Sequence, residues 1–110
     1  MTKLLPCALL LSTLVLTACT DVVLERSLEQ LVAHQSGYAG RDVRTTGVVR
    51  SFDDPLHFWI EDDELNRVAI EPEDRVADHV GQRVQVTGTF ISSADSGRII
   101  RAEQVERLPE

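Results

Sequence analysis

The chain has 110 residues, 43% of them hydrophobic, with 11 Lys plus Arg against 18 Asp plus Glu. That length and apolar content suit one small domain. The net charge of −7 argues against a protein whose affinity comes from neutralising nucleic-acid phosphates, or one that lies electrostatically on anionic lipid.

The first segment is built differently from the rest. Lys3 supplies a positive start, Leu4 to Leu16 is a largely apolar run with one Pro, and Leu16-Thr17-Ala18-Cys19 follows. This order predicts an export signal, too short to remain as a membrane-spanning helix. A Cys directly after Leu-Thr-Ala resembles the lipobox of bacterial lipoproteins. The resemblance implies cleavage before Cys19, diacylglycerol and palmitate on that residue, and a membrane anchor through the lipid. Several acyl chains on one residue exceed the two signals that stable anchoring needs. By the same resemblance, Thr20 stands where an Asp would favour the inner membrane. The implied location is therefore the outer membrane, facing the periplasm, with Asp21 one place later weakening the signal. Cys7 leaves with the signal, so no thiol remains for a disulfide, a zinc site or a nucleophile. From Cys19 onward, ten Arg and no Lys face eighteen acids, about eight net negative charges. The expected divisions are 1–18 signal peptide, 19–37 lipidated N-terminus and helix, and 38–110 the folded domain.

Asp21 to Gln35 is predicted as a helix, capped by Thr20 or Asp21, with Val23 or Leu24, Leu28, Leu31 and Val32 on one stripe. Ser36-Gly37 ends it, and His34 is read as a solvated helix-end histidine. After a turn at Tyr38–Gly40, Asp42 to Phe52 is a Val- and Thr-rich strand. Gly47 in its middle marks a bulge or a sharp bend. Asp53-Asp54-Pro55 is a turn.

His57 to Glu71 then organises the chain as two strands around an acidic tip, Asp62 to Leu65. Setting Glu61 opposite Arg67 pairs Ile60 with Val68, Trp59 with Ala69, Phe58 with Ile70 and His57 with Glu71. Side chains alternate faces, so Phe58, Ile60, Val68 and Ile70 share an apolar face. His57, Trp59, Glu61, Arg67, Ala69 and Glu71 share the other. A one-residue slip would invert this split.

Glu73 to Val80 carries helix signals, ended by Gly81. Gly81 to Ile91 is the fourth strand, with Val84, Val86 and Phe90 inward and Gly88 as a second mid-strand glycine. Ser92 to Gly97 is a polar turn, Arg98 to Val105 the last strand, and Glu106 to Glu110 a tail.

Three strands, a short helix and two strands make the β-β-β-α-β-β order of the five-stranded OB-fold barrel. The class is all-β with minor helix, preceded by an N-terminal amphipathic helix. The phrase Val80-Gly-Gln-Arg-Val-Gln-Val-Thr-Gly-Thr-Phe90 resembles the fourth-strand signature common in this fold. With Gly47-Val48-Val49 and Phe58-Trp59-Ile60-Glu61-Asp62, it makes Leu31 to Leu108 similar to the bacterial OB-fold family of small exported stress proteins. That family implies a binding module rather than an enzyme. Its members are typically soluble and periplasmic, whereas this chain carries a lipobox.

No catalytic set is legible. His57 with Glu71 offers two metal ligands where zinc usually takes at least three. The acids Asp53, Asp54, Asp62, Asp63 and Glu64 lack the spacing of a calcium loop. There is no Gly-x-Ser-x-Gly elbow and no phosphate-cradling loop, and no cofactor is expected. What remains is the outward-facing Trp59, with His57, Arg67 and Glu71 on its face and Arg50 and Arg44 as neighbours. Trp59 is either a platform for stacking a ligand or the seat of the N-terminal helix. The charges around it favour the platform, since an apolar stripe would bury them at a cost. The expected partner is a small ligand, a glycan or an envelope protein; nucleic acid is disfavoured by charge and compartment, and a hydrolase with an undetected site is the remotest alternative. Cys19→Ala is expected to yield an uncleaved or soluble chain on envelope fractionation. Correct cleavage with retention in the membrane would refute the lipobox reading.

Overall fold

The computed structural model describes residues 22–110; the expected export signal and Cys19 lie outside the described residues. The elements in order are β1 (Leu24–Glu25), α1 (Leu28–Ala33), α2 (Gln35–Tyr38), β2 (Asp42–Asp53), β3 (Leu56–Glu61), β4 (Arg67–Glu71), β5 (Arg83–Ser93) and β6 (Gly97–Arg107). Two 3-10 turns, Glu73–Arg75 and Ala77–His79, lie between β4 and β5.

The long strand β2 serves two neighbours. Its first half pairs antiparallel with β5, from Asp42–Thr89 to Val48–Arg83, and its second half with β3, from Val48–Glu61 to Asp53–Leu56. β3 pairs with β4, β4 runs parallel to β6, and β6 returns to β5. The sheet closes through the β2–β5 pairing. This is the expected five-stranded OB barrel, closed except along the first half of β2, whose second edge is left for β1.

Alternation fills the interior. Val43 and Val49 of β2, Phe58 and Ile60 of β3, Val68 and Ile70 of β4, Val84, Val86 and Phe90 of β5, and Ile100 and Ala102 of β6 form one core. The hairpin register is as the sequence predicts at Glu61–Arg67, Ile60–Val68 and Trp59–Ala69. The β3–β4 ladder stops at Trp59–Ala69, short of the expected Phe58–Ile70 pair, while on its other edge β4 continues beside β6, with Ile70 next to Ile100 and Glu71 next to Arg101. His57 and Glu71 are therefore not a cross-strand pair. At Gly88 the β5–β6 register shifts by a residue. A Cβ there would stand 2.1 Å from the Arg101 carbonyl oxygen, so the crossing is closed to any side chain.

The N-terminal segment departs from expectation. Among the described residues the helix begins after Ser27, whose hydroxyl accepts from the Gln30 amide at 3.1 Å while Gln30 Oε1 accepts from the Ser27 amide at 2.9 Å. That reciprocal capping box fixes the start. The residues before it are extended, and Leu24 and Glu25 pair in parallel with Val43 and Arg44. Satisfying a sheet edge beats helix formation in a stretch opened by two Val residues. The apolar stripe is short but decisive: Leu28 is 2% exposed and Leu31 fully buried, both inside the barrel core. Helix α1 closes the barrel rather than lying on its outside.

The segment between β4 and β5 is also tighter than an α-helix. Val76 alone enters the core, and Val80 is exposed. The Gly81 amide donates to the Val49 carbonyl at 2.8 Å and the Val49 amide to the Gln82 carbonyl at 3.0 Å. Those bonds need extended backbone at Val80, which a helix reaching Val80 would forbid. Because α1 belongs to the core, Leu31→Ala should destabilise the whole barrel by about 2–5 kcal/mol in a single urea transition. A loss confined to helical signal, with the β transition unmoved, would contradict this packing.

Candidate functional site

The outer face of β3 and β4 carries the candidate site. Trp59 sits in mid-strand, half-buried, with Arg50 opposite it on β2 and Ala69 opposite it on β4. Helix α1 does not cover it, since Leu28 and Leu31 point into the barrel. The indole lies in a depression of about 250 Å³ lined by His57, Trp59, Arg67, Ala69 and Arg98.

Glu61 holds this face together. Trp59 Nε1 donates to Glu61 Oε1 at 2.8 Å, and Arg67 Nε donates to the same oxygen at 3.1 Å. Arg50 Nε stands 3.6 Å from Oε2. Strand pairing dictates the convergence: Glu61 is in register with Arg67 on β4, and Trp59 and Arg50 lie one alternation away on the same face. The Glu61 side chain is only 13% exposed. The hydrogen bond from Trp59 does most to hold its carboxyl below the ordinary glutamate range; burial pushes the other way, and Arg67 and Arg50 add to the lowering. The bound carboxylate fixes the plane of the indole, and the Arg67 guanidinium lies 5.4 Å from the ring centroid, within cation–π range.

A row of rings extends from this point. His57 is 5.2 Å from Trp59, centroid to centroid, and Phe52 is 6.0 Å from His57. His57 Nδ1 donates to the Pro55 carbonyl at 2.7 Å, which orients the imidazole. Phe52 is 59% exposed and Leu56, at the same hairpin end, 51%.

Of the four ligand-binding residues expected from sequence, the structure brings together His57, Trp59 and Arg67. Glu71 lies in a neighbouring depression with Pro72, Glu73 and Arg101, carried there by the β4–β6 pairing. Arg50 is beside the site, but Arg44 is not: it pairs with Glu25 at 3.1 Å and donates to Thr87. Two residues escaped sequence reasoning. Arg98 reaches the site from β6, its Nε donating to the Arg67 carbonyl at 3.0 Å, and no local pattern announces a parallel pairing across thirty residues. Phe52 faces His57 in the β2–β3 hairpin, and extending the strand register through the Asp53–Pro55 turn would have found it.

A larger cleft, about 350 Å³, lies beside β1 and is lined by Glu25, Arg26, Ser27, Arg44, Thr45, Thr46 and Gln85. Its cations are engaged internally, Arg44 by Glu25 and Arg26 by the Tyr38 hydroxyl and ring. The acidic hairpin tip is a self-satisfied turn. Burial of the Asp62 carboxylate is outweighed by hydrogen bonds from Asn66 and the Glu64 amide, which hold its pKa below the ordinary value. Among the described residues no cluster of three His, Cys, Asp or Glu could hold a metal ion.

The fold and this outer face define an OB-fold domain. No protein-family model matches the chain, and no curated protein matches it. Solved structures share the fold. A chain of the S. pombe Stn1-Ten1 complex superposes with a TM-score of 0.57 at 13% identity, over 80% of this chain and 78% of that one. The hypothetical protein YgiW from E. coli gives 0.54 at 16% identity, over 76% and 88%.

The depressed pKa of Glu61 has a consequence for stability. A carboxylate favoured in the folded state stabilises above its unfolded pKa, and that contribution is lost as pH falls through the folded value. Glu61→Gln should therefore be destabilised most at neutral pH, with the gap to the parent closing below ~pH 4. A gap that is constant with pH in denaturant titrations would assign the effect to packing instead.

Proposed function

We propose that this chain is a non-enzymatic binding protein, held on the cell envelope by lipid on Cys19, with the outer face of β3 and β4 as its ligand surface. The observation that carries the reading is Trp59. A half-buried indole opens onto a depression while its Nε1 is held by Glu61. An aromatic side chain fixed in orientation before a ligand arrives loses little entropy on binding. The outer face of these strands is also where OB-folds commonly bind. The lipobox and the likeness to exported bacterial OB-fold proteins support the envelope address, on the periplasmic side of the outer membrane. Among the described residues no helix is long and apolar enough to cross a membrane.

A second reading, an envelope component whose ligand is another protein, draws support from Phe52 and Leu56, which extend the site with exposed apolar surface at the hairpin end. The neighbour from the Stn1-Ten1 complex shows the same fold in a protein assembly. A nucleic-acid ligand is disfavoured by the acidic chain.

The test is a crosslinked pull-down from intact envelope with the full lipidated chain. Trp59→Ala should abolish capture of the partner molecule while changing stability by less than about 2 kcal/mol, because the residue lies outside the core. Unchanged capture, or a parent Trp59 emission that acrylamide cannot quench, would remove this face from the proposal.

A further inference from the structure

The charge balance of the Trp59 depression differs from that of the chain around it. Two guanidiniums, from Arg67 and Arg98, line it, and the one carboxylate beside it, Glu61, has Arg50 as a further cationic partner. That carboxylate is already shared between Trp59, Arg67 and Arg50. Arg98 has no carboxylate partner among the described residues: its Nε is held by a backbone carbonyl. Its remaining N–H groups are left for something else. The depression is thus a small cationic island on an acidic protein.

The island is also bounded. Asp53 and Asp54 follow Phe52 at one end of the ring row, Asp62, Asp63 and Glu64 form the hairpin tip at the other, and Glu71 and Glu73 flank the side. A polyanion tracking along this face would run into acids in each of these directions. One anionic group, seated between Arg67 and Arg98, would not. The rest of the floor is largely aromatic, made by the Trp59 and His57 rings, tilted 31° to each other, and by Ala69. About 250 Å³ accommodates one ring rather than an oligomer.

Resting on the reading of this face as the binding surface, we infer that its ligand is a small ring-bearing carboxylate. The ring lies against Trp59 and His57, and the carboxylate meets Arg98 and the free edge of Arg67. Arg98 is the specificity-determining residue, because Arg67 is already partly neutralised by Glu61. The forked donors of a guanidinium match a carboxylate's two oxygens.

The chain has one Trp, so its single indole N–H resonance reports on the site directly. Two matched pairs of probes separate charge from ring and sugar acid from aromatic acid: glucuronate against glucose, and benzoate against benzamide. In at least one pair, the carboxylate should shift the indole signal saturably and bind tenfold or more tightly than its neutral partner. Arg98→Gln should weaken that carboxylate by on the order of tenfold or more, the scale of a hydrogen bond to a charged group, without altering the neutral probe. Equal binding within both pairs, or insensitivity to Arg98→Gln, would overturn the inference while leaving the face as a binding surface. An oligodeoxynucleotide that binds more tightly than every small carboxylate would also overturn it. If no probe shifts the indole and the envelope pull-down still depends on Trp59, the carboxylate inference alone fails; if the pull-down is also indifferent to Trp59, both readings fail.

Discussion

β2 must pair with two different strands along one edge-to-edge run, and the barrel depends on the switch. Val48 is the hinge of that arrangement, in register with Glu61 of β3 and Arg83 of β5 at once. The neighbouring Gly47 makes the bend compatible with a filled interior. A Cβ at this position would come within 2.9 Å of Leu28 Cδ1 and 3.1 Å of the Glu61 carbonyl oxygen and Ile60 Cβ. Its absence lets α1 press Leu28 into the barrel. Sheet closure and helix closure thus meet at one residue without a side chain.

The same switch sets up the outer face. Val48 lies beside Glu61, so the end of the β2–β3 ladder and the β3–β4 hairpin fix the one acid that organises the site. Glu61 draws Arg50 from β2 and Arg67 from β4 to a single carboxylate, and takes the indole N–H of Trp59 as well. An exposed ion pair on a sheet contributes little. Here the carboxylate is mostly shielded and its partners come from three strands, so it orders the aromatic surface. Core and proposed binding face are coupled through strand register rather than through contact.

An acidic chain with a local cationic spot is a selective arrangement. The surrounding acids repel extended polyanions, while the guanidiniums inside the depression attract one compact anion. Long-range charge and short-range charge therefore discriminate between different ligands, and discrimination by repulsion is as effective as added attraction. Solved OB-folds at 13% and 16% identity share this architecture, so the fold by itself leaves the ligand to the side chains on the face.

Period-two alternation in His57–Glu71 carried enough information to place four core residues and to turn Trp59 outward, because a slip would bury charges. The Gly47 and Gly88 interruptions marked the two places where backbones or a helix approach too closely for a side chain. Those are local constraints, legible from local residue types. The start of α1 combines a local and a non-local signal. Thr20, Asp21 and Ser27 are all competent caps, but Ser27 alone has a Gln three residues on, so its capping box was locally legible; the parallel pairing of Leu24–Glu25 with β2, which keeps the preceding backbone extended, was not. The 3-10 turns before β5 were decided likewise, by the bonds of Gly81 and Gln82 to Val49. The site divided along the same line. His57, Trp59 and Arg67 belong to one hairpin and could be grouped from its register. Arg98 joins and Glu71 leaves because β6 runs parallel to β4, a non-local pairing that no stretch of sequence encodes by itself and that only closure of the barrel imposes.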